Sequence, residues 1–254
     1  MSAALAAEWL KLRTLRGTWA ALACVGLAMA GLAALTGYAA GMVARHPELE
    51  MTPVEPLASQ AAQLALGIVG VLCVTSEHSP GTLRQTLLAT PWRGRLVAAK
   101  AGAAGGLALA AGLVAVVGSS WLDRAVAGDH VIRLFSDAVN HSPRVLAAYV
   151  LVVPATALSA VGLALCLRST AAAVTALVVV LEVAPIVLQA VPGPAGTWLR
   201  SLQPAALAEQ VAAAGNLASI YGHALPVVAA AALLVGYPGM LLAAGTVRLR
   251  RTDA

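Results

Sequence analysis

The sequence predicts an all-α, polytopic membrane protein: six transmembrane helices, an N-terminal interfacial helix and one short cytoplasmic helix. Three observations carry this. Hydrophobic residues make up 60% and charged residues 11% of 254 positions, with mean hydropathy +0.84, whereas a soluble domain carries roughly 25% charge. The apolar runs are continuous and rich in Ala, Leu and Val, unlike the short alternating strands of an outer-membrane barrel. The 16 Lys and Arg residues gather at the ends of those runs. Orientation of the spans explains that pattern, while nucleic-acid binding would need basic residues clustered on a soluble face.

Residues 1–17 read as the interfacial helix. Leu5, Trp9 and Leu12 recur at i, i+4 and i+7, Lys11, Arg13 and Arg16 supply positive charge, and Trp9 suits headgroup depth. The plainer alternative is a basic leader that only orients the first span. The apolar run that follows is too long for a signal-peptide core, so residues 18–43 are taken as a retained span, opened by Trp19 and closed near Tyr38. Gly37-x-x-x-Gly41, and later Gly102-x-x-x-Gly106, have the spacing that permits close helix contact. In a chain with 23 glycines chance explains them as well. An acidic external loop holds Glu48, Glu50 and Glu55, and the second span covers 60–75.

Residues 76–95 interrupt the apolar pattern. Ser79-Pro80 can start a helix, Leu83, Leu87 and Leu88 repeat at helical spacing, and Thr90-Pro91 ends it. A helix of roughly ten residues is about 15 Å long, too short to span, for which about 20 residues are needed. Arg93, Arg95 and Lys100 follow, and the third span covers 96–121. Asp123, Asp129, His130, Asp137 and His141 in the next loop invite a metal reading, but Asp137 and His141 form a single i, i+4 pair without a third ligand. A solvated loop of balanced charge is the better account.

The fourth span, 145–167, ends in a tight turn at Arg168-Ser169-Thr170, and the fifth, 171–191, contains Glu182. A carboxylate inside a membrane is a functional candidate. It is either hydrogen-bonded to another helix or a hydrated cavity, or it is the proton site of an ion-coupled carrier; Pro185 can leave a polar gap beside it. Residues 192–222 hold a short external helix over AALAEQVAAAGN, with Leu207 and Val211 on one face and Gly215-Asn216 as the stop. The sixth span, 223–247, has Pro226 and Pro238 in its first and last stretches and ends in Arg248, Arg250 and Arg251.

Orientation follows by counting. Lys11, Arg13, Arg16, Arg84, Arg93, Arg95, Lys100, Arg168, Arg248, Arg250 and Arg251 fall on one side, and Arg45, Arg124, Arg133, Arg144 and Arg200 on the other. Eleven against five makes both termini and residues 76–95 cytoplasmic. Cys24, Cys73 and Cys166 all lie in apolar runs, with no C-x-x-C, and read as buried thiols. No Gly-Lys-Ser/Thr loop exists, since Lys11 and Lys100 precede Leu12 and Ala101. H-E-x-x-H and G-x-S-x-G are absent too. Ser119-Ser120 near Asp123 lacks a placed His. No catalytic, metal or cofactor site is expected in this chain, and no internal repeat marks the inverted halves of a secondary carrier.

Glu77-x-x-x-Gly81-Thr82, then Arg84, then Pro91 with Arg93 and Lys100, resembles the first cytoplasmic loop of ABC-2-type transporter permeases. The opening Glu8-Trp9-x-Lys11-Leu12-Arg13-Thr14-x-Arg16 resembles the start of the small bacterial six-span branch of that family. The resemblance implies a membrane-spanning permease, an exporter in the bacterial plasma membrane, whose loop carries a coupling helix that docks on a separate ATPase subunit. Glu77, Gly81, Thr82, Arg84 and Leu87 would form the docking helix, and Arg93 and Arg95 would anchor it to anionic headgroups or to the partner. ATP and Mg would be bound by the partner, a second permease, identical or related, would complete the assembly, and the substrate path would run between permeases along the second and fifth spans. Two other readings stand beside it: a membrane scaffold or immunity protein that transports nothing, and an ion-coupled carrier using Glu182. A lipid, an amphipathic peptide and a hydrophobic antibiotic suit an apolar path equally.

Overall fold

The computed structural model describes residues 2–43, 45, 55–76, 93–127, 143–213 and 225–252. Among them every regular element is helical, and six stretches are long and apolar enough to cross a membrane: Arg16–Ala39, Pro56–Thr75, Gly94–Leu122, Pro143–Leu167, Thr170–Gln189 and Val227–Leu249. The chain is an all-α, multi-pass membrane protein. The external loop at 46–54, the stretch with Asp129, His130, Arg133, Asp137 and His141, and Gly215-Asn216 lie outside the described residues.

Local sequence accounts for where the helices begin and end. Helix α1 (Ser2–Thr14) and α2 (Arg16–Val43) are separated by Leu15 alone, and Trp19 Nε1 donates across the joint to the Arg13 carbonyl at 2.8 Å. Helix α3 (Glu55–Thr75) starts earlier than residue 60, because Pro56 fits the first turn, where its missing N–H costs nothing. Helix α4 (Arg93–Ala127) overruns the expected 96–121 at both ends, so Arg93 and Arg95 belong to its first turn. Pro143 opens α5 (Pro143–Leu167). Arg168, at φ 56°, and Ser169 make the two-residue turn that follows, and Ser169 Oγ caps the next helix by accepting from Ala172 N at 3.3 Å.

The fifth crossing is not a uniform helix. It consists of α6 (Thr170–Val178), a π-turn at Val179–Val183 and α7 (Ala184–Gln189). Pro185 has no N–H to give the Leu181 carbonyl, and its ring crowds that carbonyl. One wide turn absorbs the conflict, with Ala184 N–H closing on the Val179 carbonyl five residues back. The single short helix anticipated between the last two crossings is instead a pair, α8 (Gly193–Ser201) and α9 (Pro204–Ala213), each with a proline in its first turn. Helix α10 (Val227–Thr252) begins after Pro226, so that proline precedes the last crossing, while Pro238 lies within it.

Helix α5 is the axis of the bundle. Helices α3, α4, α9 and α10 all pack on it. Buried residues make up 61% of the α3 crossing and 56% of the α5 crossing, against 11% for α2 and 17% each for the fifth and sixth. The first two are therefore interior, and the others form the outer wall. Between helices in lipid there is no hydrophobic pull, so close van der Waals packing has to hold them. Glycines supply it where α5 is crossed. A Cβ on Gly70 would sit 2.6 Å from the Ala157 carbonyl oxygen, and one on Gly162 would sit 2.6 Å from the Leu241 carbonyl carbon.

Of the glycines singled out by spacing, Gly41 and Gly106 face open space, and Gly102 allows the close approach of a Leu5 methyl of α1 at 3.2 Å from its Cβ position. The cysteines also divide. Cys73 is buried and Cys166 half-buried, but Cys24 lies exposed on the outer wall, contrary to the expectation of three buried thiols. Even so, the wall of a membrane bundle faces lipid, where a thiol is still a small apolar group.

At the end away from α1, the α8–α9 pair folds back over α5 and α10. Gln210 stitches it down: its Nε2 donates to the Ser201 carbonyl at 2.8 Å, and its Oε1 accepts from Leu225 N at 2.8 Å. Tyr237 and Arg144 add hydrogen bonds to the Leu202 and Val211 carbonyls.

Candidate coupling site

Glu77, Gly81, Thr82, Arg84 and Leu87 lie outside the described residues. Arg93 is the first residue of α4, and Arg95 is exposed in the same turn. What is described is how the two ends of the interrupting segment are held.

Leu96, Val97, Ala99, Ala103 and Ala104 of α4 are buried against the bundle, and Lys100 lies among them with 3% exposure. Its Nζ lies 3.0 Å from Glu8 Oε2 on α1 and donates to the Cys73 carbonyl at 3.1 Å. Glu8 is itself 3% exposed, and its other oxygen takes Lys11 Nζ at 3.0 Å. Each carboxylate oxygen thus has an ammonium partner. Such satisfaction is required, because a buried ion pair repays its desolvation only with good geometry and further hydrogen bonds. The third contact has its own cause. Cys73 is in the last turn of α3, whose final carbonyls have no N–H donor within the helix and carry the negative end of its dipole. An ammonium there caps the helix.

One side chain therefore joins α1, the end of α3 and the start of α4. Ser76 directly follows the end of α3 that Lys100 caps, and Arg93 opens α4 two turns before Lys100. Glu8 and Leu12 are buried, a Leu5 methyl lies against Gly102 of α4, and Trp9 and Leu12 line one recess, so the Leu5, Trp9 and Leu12 stripe lies on the side of α1 that meets the bundle, with Leu5 and Trp9 partly exposed. Glu8 and Lys100 stand in two separate sequence motifs, and the signal that could pair them is a lysine set at the start of an apolar run.

Glu182, the other candidate, lies on the π-turn, half-buried, and Gln60 Nε2 of α3 donates to its Oε2 at 2.8 Å. Beside Gln60, a polar ladder ties α3 to α5: Ser59 Oγ donates to the Tyr149 carbonyl at 3.1 Å, Gln63 Nε2 to Ser59 Oγ at 3.3 Å, and Thr156 Oγ1 to Gln63 Oε1 at 3.0 Å. The group that meets Glu182 is a neutral amide, and the ladder beside it fixes α3 to α5. The Ser119 and Ser120 hydroxyls donate to the Val116 and Val117 carbonyls of their own helix. Among the described residues no group of three His, Cys, Asp or Glu could hold a metal ion.

No protein-family model matches the chain, and no curated protein matches it.

Proposed function

We propose that the chain is the membrane-spanning subunit of an ATP-driven transporter, an exporter of the bacterial plasma membrane, driven by a separate ATPase that grips residues 76–95 from the cytoplasm. The observation that carries this reading is the buried contact of Lys100 with Glu8 and the Cys73 carbonyl, at 3.0 and 3.1 Å. A lever needs its two ends fixed to what it moves. Here a push on the segment reaches α1, α3 and α4 together, and α3 packs on the central α5. ATP binding in the partner would favour one arrangement of the bundle by binding it more tightly, and hydrolysis would release it. ATP and Mg would stay with the partner, and a second permease would complete the assembly.

The basic residues support the sidedness, since they collect on the side that holds this segment and both termini. Purification of this chain through a tag from the cell that expresses it, with mass spectrometry of the proteins that come with it, tests the reading, a separate ATPase being the partner sought. Retention of the ATPase, lost in Arg84→Glu and Leu87→Asp, is the expected result. An ATPase that never co-purifies would leave a non-transporting scaffold as the better account.

A further inference from the structure

We propose that the recess between α1, α2 and α4 seats one anionic phospholipid, with its phosphate on Arg13 and the upper part of an acyl chain against Leu22 and Leu107. The recess has a volume of about 320 Å³, and its lining includes Trp9, Leu12, Arg13, Trp19, Leu22 and Leu107. The three helices pack on one another here. Trp19 Nε1 donates to the Arg13 carbonyl at 2.8 Å, which ties the two sides of the mouth together across the α1–α2 joint.

The lining is graded from charged to apolar. Arg13 lies in the last turn of α1, whereas Leu22 lies seven residues beyond the Leu15 joint and Leu107 seven beyond Lys100. At 1.5 Å per residue each of those leucines is about 10 Å deeper in the bundle than its polar end. A small soluble anion would pair with Arg13 and leave the leucines bare. A wholly apolar ligand would cover the leucines and leave the guanidinium without a countercharge. An amphiphile with an anionic head satisfies both ends.

Charge selects the headgroup. Arg13 is exposed and Trp9 partly so, and neither the guanidinium nor the Trp9 indole N–H has a partner among the described residues. Glu8, the only carboxylate of α1 and α2, is already taken by Lys11 and Lys100. Arg16, also exposed, adds a second positive charge where α2 begins. A phosphodiester offers two oxygens to the planar guanidinium fork, and tryptophan suits the headgroup boundary. A zwitterionic head would bring its own ammonium up to Arg13 and Arg16, with no free carboxylate on either helix to receive it. Phosphatidylglycerol brings a neutral glycerol in its place. The seat requires no ATPase, so it stands or falls separately from the transporter reading.

The test is fluorescence quenching in the full chain carrying Trp92→Phe, Trp121→Phe and Trp198→Phe, so that only Trp9 and Trp19 of its five tryptophans emit. Reconstituted in phosphatidylethanolamine vesicles, it is titrated with phosphatidylglycerol brominated midway along its acyl chains, and in parallel with phosphatidylethanolamine brominated in the same way. At equal, low mole fraction the brominated phosphatidylglycerol should quench several-fold more. Arg13→Gln, on an exposed side chain, should bring the two lipids level. Arg16→Gln, which removes the same charge outside the recess lining, should keep most of the difference, and glycerol phosphate added in solution should leave it in place. Equal quenching by both lipids in the parent chain would overturn the proposal. So would a difference lost equally in the two arginine variants, which marks diffuse attraction to a charged surface, or one abolished by glycerol phosphate, which marks a site for the head alone.

Discussion

Glu8 and Lys100 meet at 3.0 Å with both side chains 3% exposed, although 92 residues separate them. Their contact binds the first helix of the chain to the helix that follows the interrupting segment, and the Cys73 carbonyl brings in the helix that precedes it.

Removing one side of that pair leaves the other charge buried, which costs about 3–5 kcal/mol. Lys100→Ala leaves Glu8 with Lys11. Thermal unfolding in detergent should show both Lys100→Ala and Glu8→Ala less stable than the parent chain. The Glu8→Leu/Lys100→Met double variant should recover most of the loss, because no charge is then stranded.

The glycines make a prediction with two signs. Gly70→Ala and Gly162→Ala each bring a methyl within 2.6 Å of backbone atoms of a crossing helix. Both should destabilise by about 1–3 kcal/mol, as overpacking does. Gly106→Ala meets nothing within 4 Å and should stabilise by about 0.5–1 kcal/mol, the helical gain of alanine over glycine. Unfolding midpoints of the three variants decide this.

Much of the fold was legible from composition, since six long apolar runs dominate the chain and lipid allows only helices to form from them. Proline positions were the weaker guide. Pro56 and Pro143 open helices earlier than hydropathy suggests, and Pro185 widens a turn without ending the helix. Close packing was not legible: Gly70 and Gly162, where backbones come closest, stand in no paired motif, whereas Gly41 and Gly106, which do, meet nothing within 4 Å. The Glu8–Lys100 contact was hidden because periodicity sorts residues by polarity. An ion pair that is buried as a unit looks, in each half alone, like surface.

Glu182 accepts from Gln60 at 2.8 Å on a turn that Pro185 widens. Glu182→Gln keeps an amide oxygen for that contact and should leave nucleotide-dependent export intact in vesicles. Glu182→Leu removes that acceptor and should lower stability by less than the about 1–3 kcal/mol of an unsatisfied buried group, because Gln60 is only half-buried. Loss of pH-driven transport in Glu182→Gln, with no dependence on nucleotide, would point to an ion-coupled carrier instead.

The sidedness of residues 76–95 bears most directly on the proposed mechanism. A single cysteine at position 84, in a chain whose Cys24, Cys73 and Cys166 are replaced by alanine, can be probed in intact cells with a membrane-impermeant maleimide. The account predicts no labelling until the cells are permeabilised and full labelling afterwards. Labelling from outside intact cells would contradict it, because no cytoplasmic ATPase could reach the segment there.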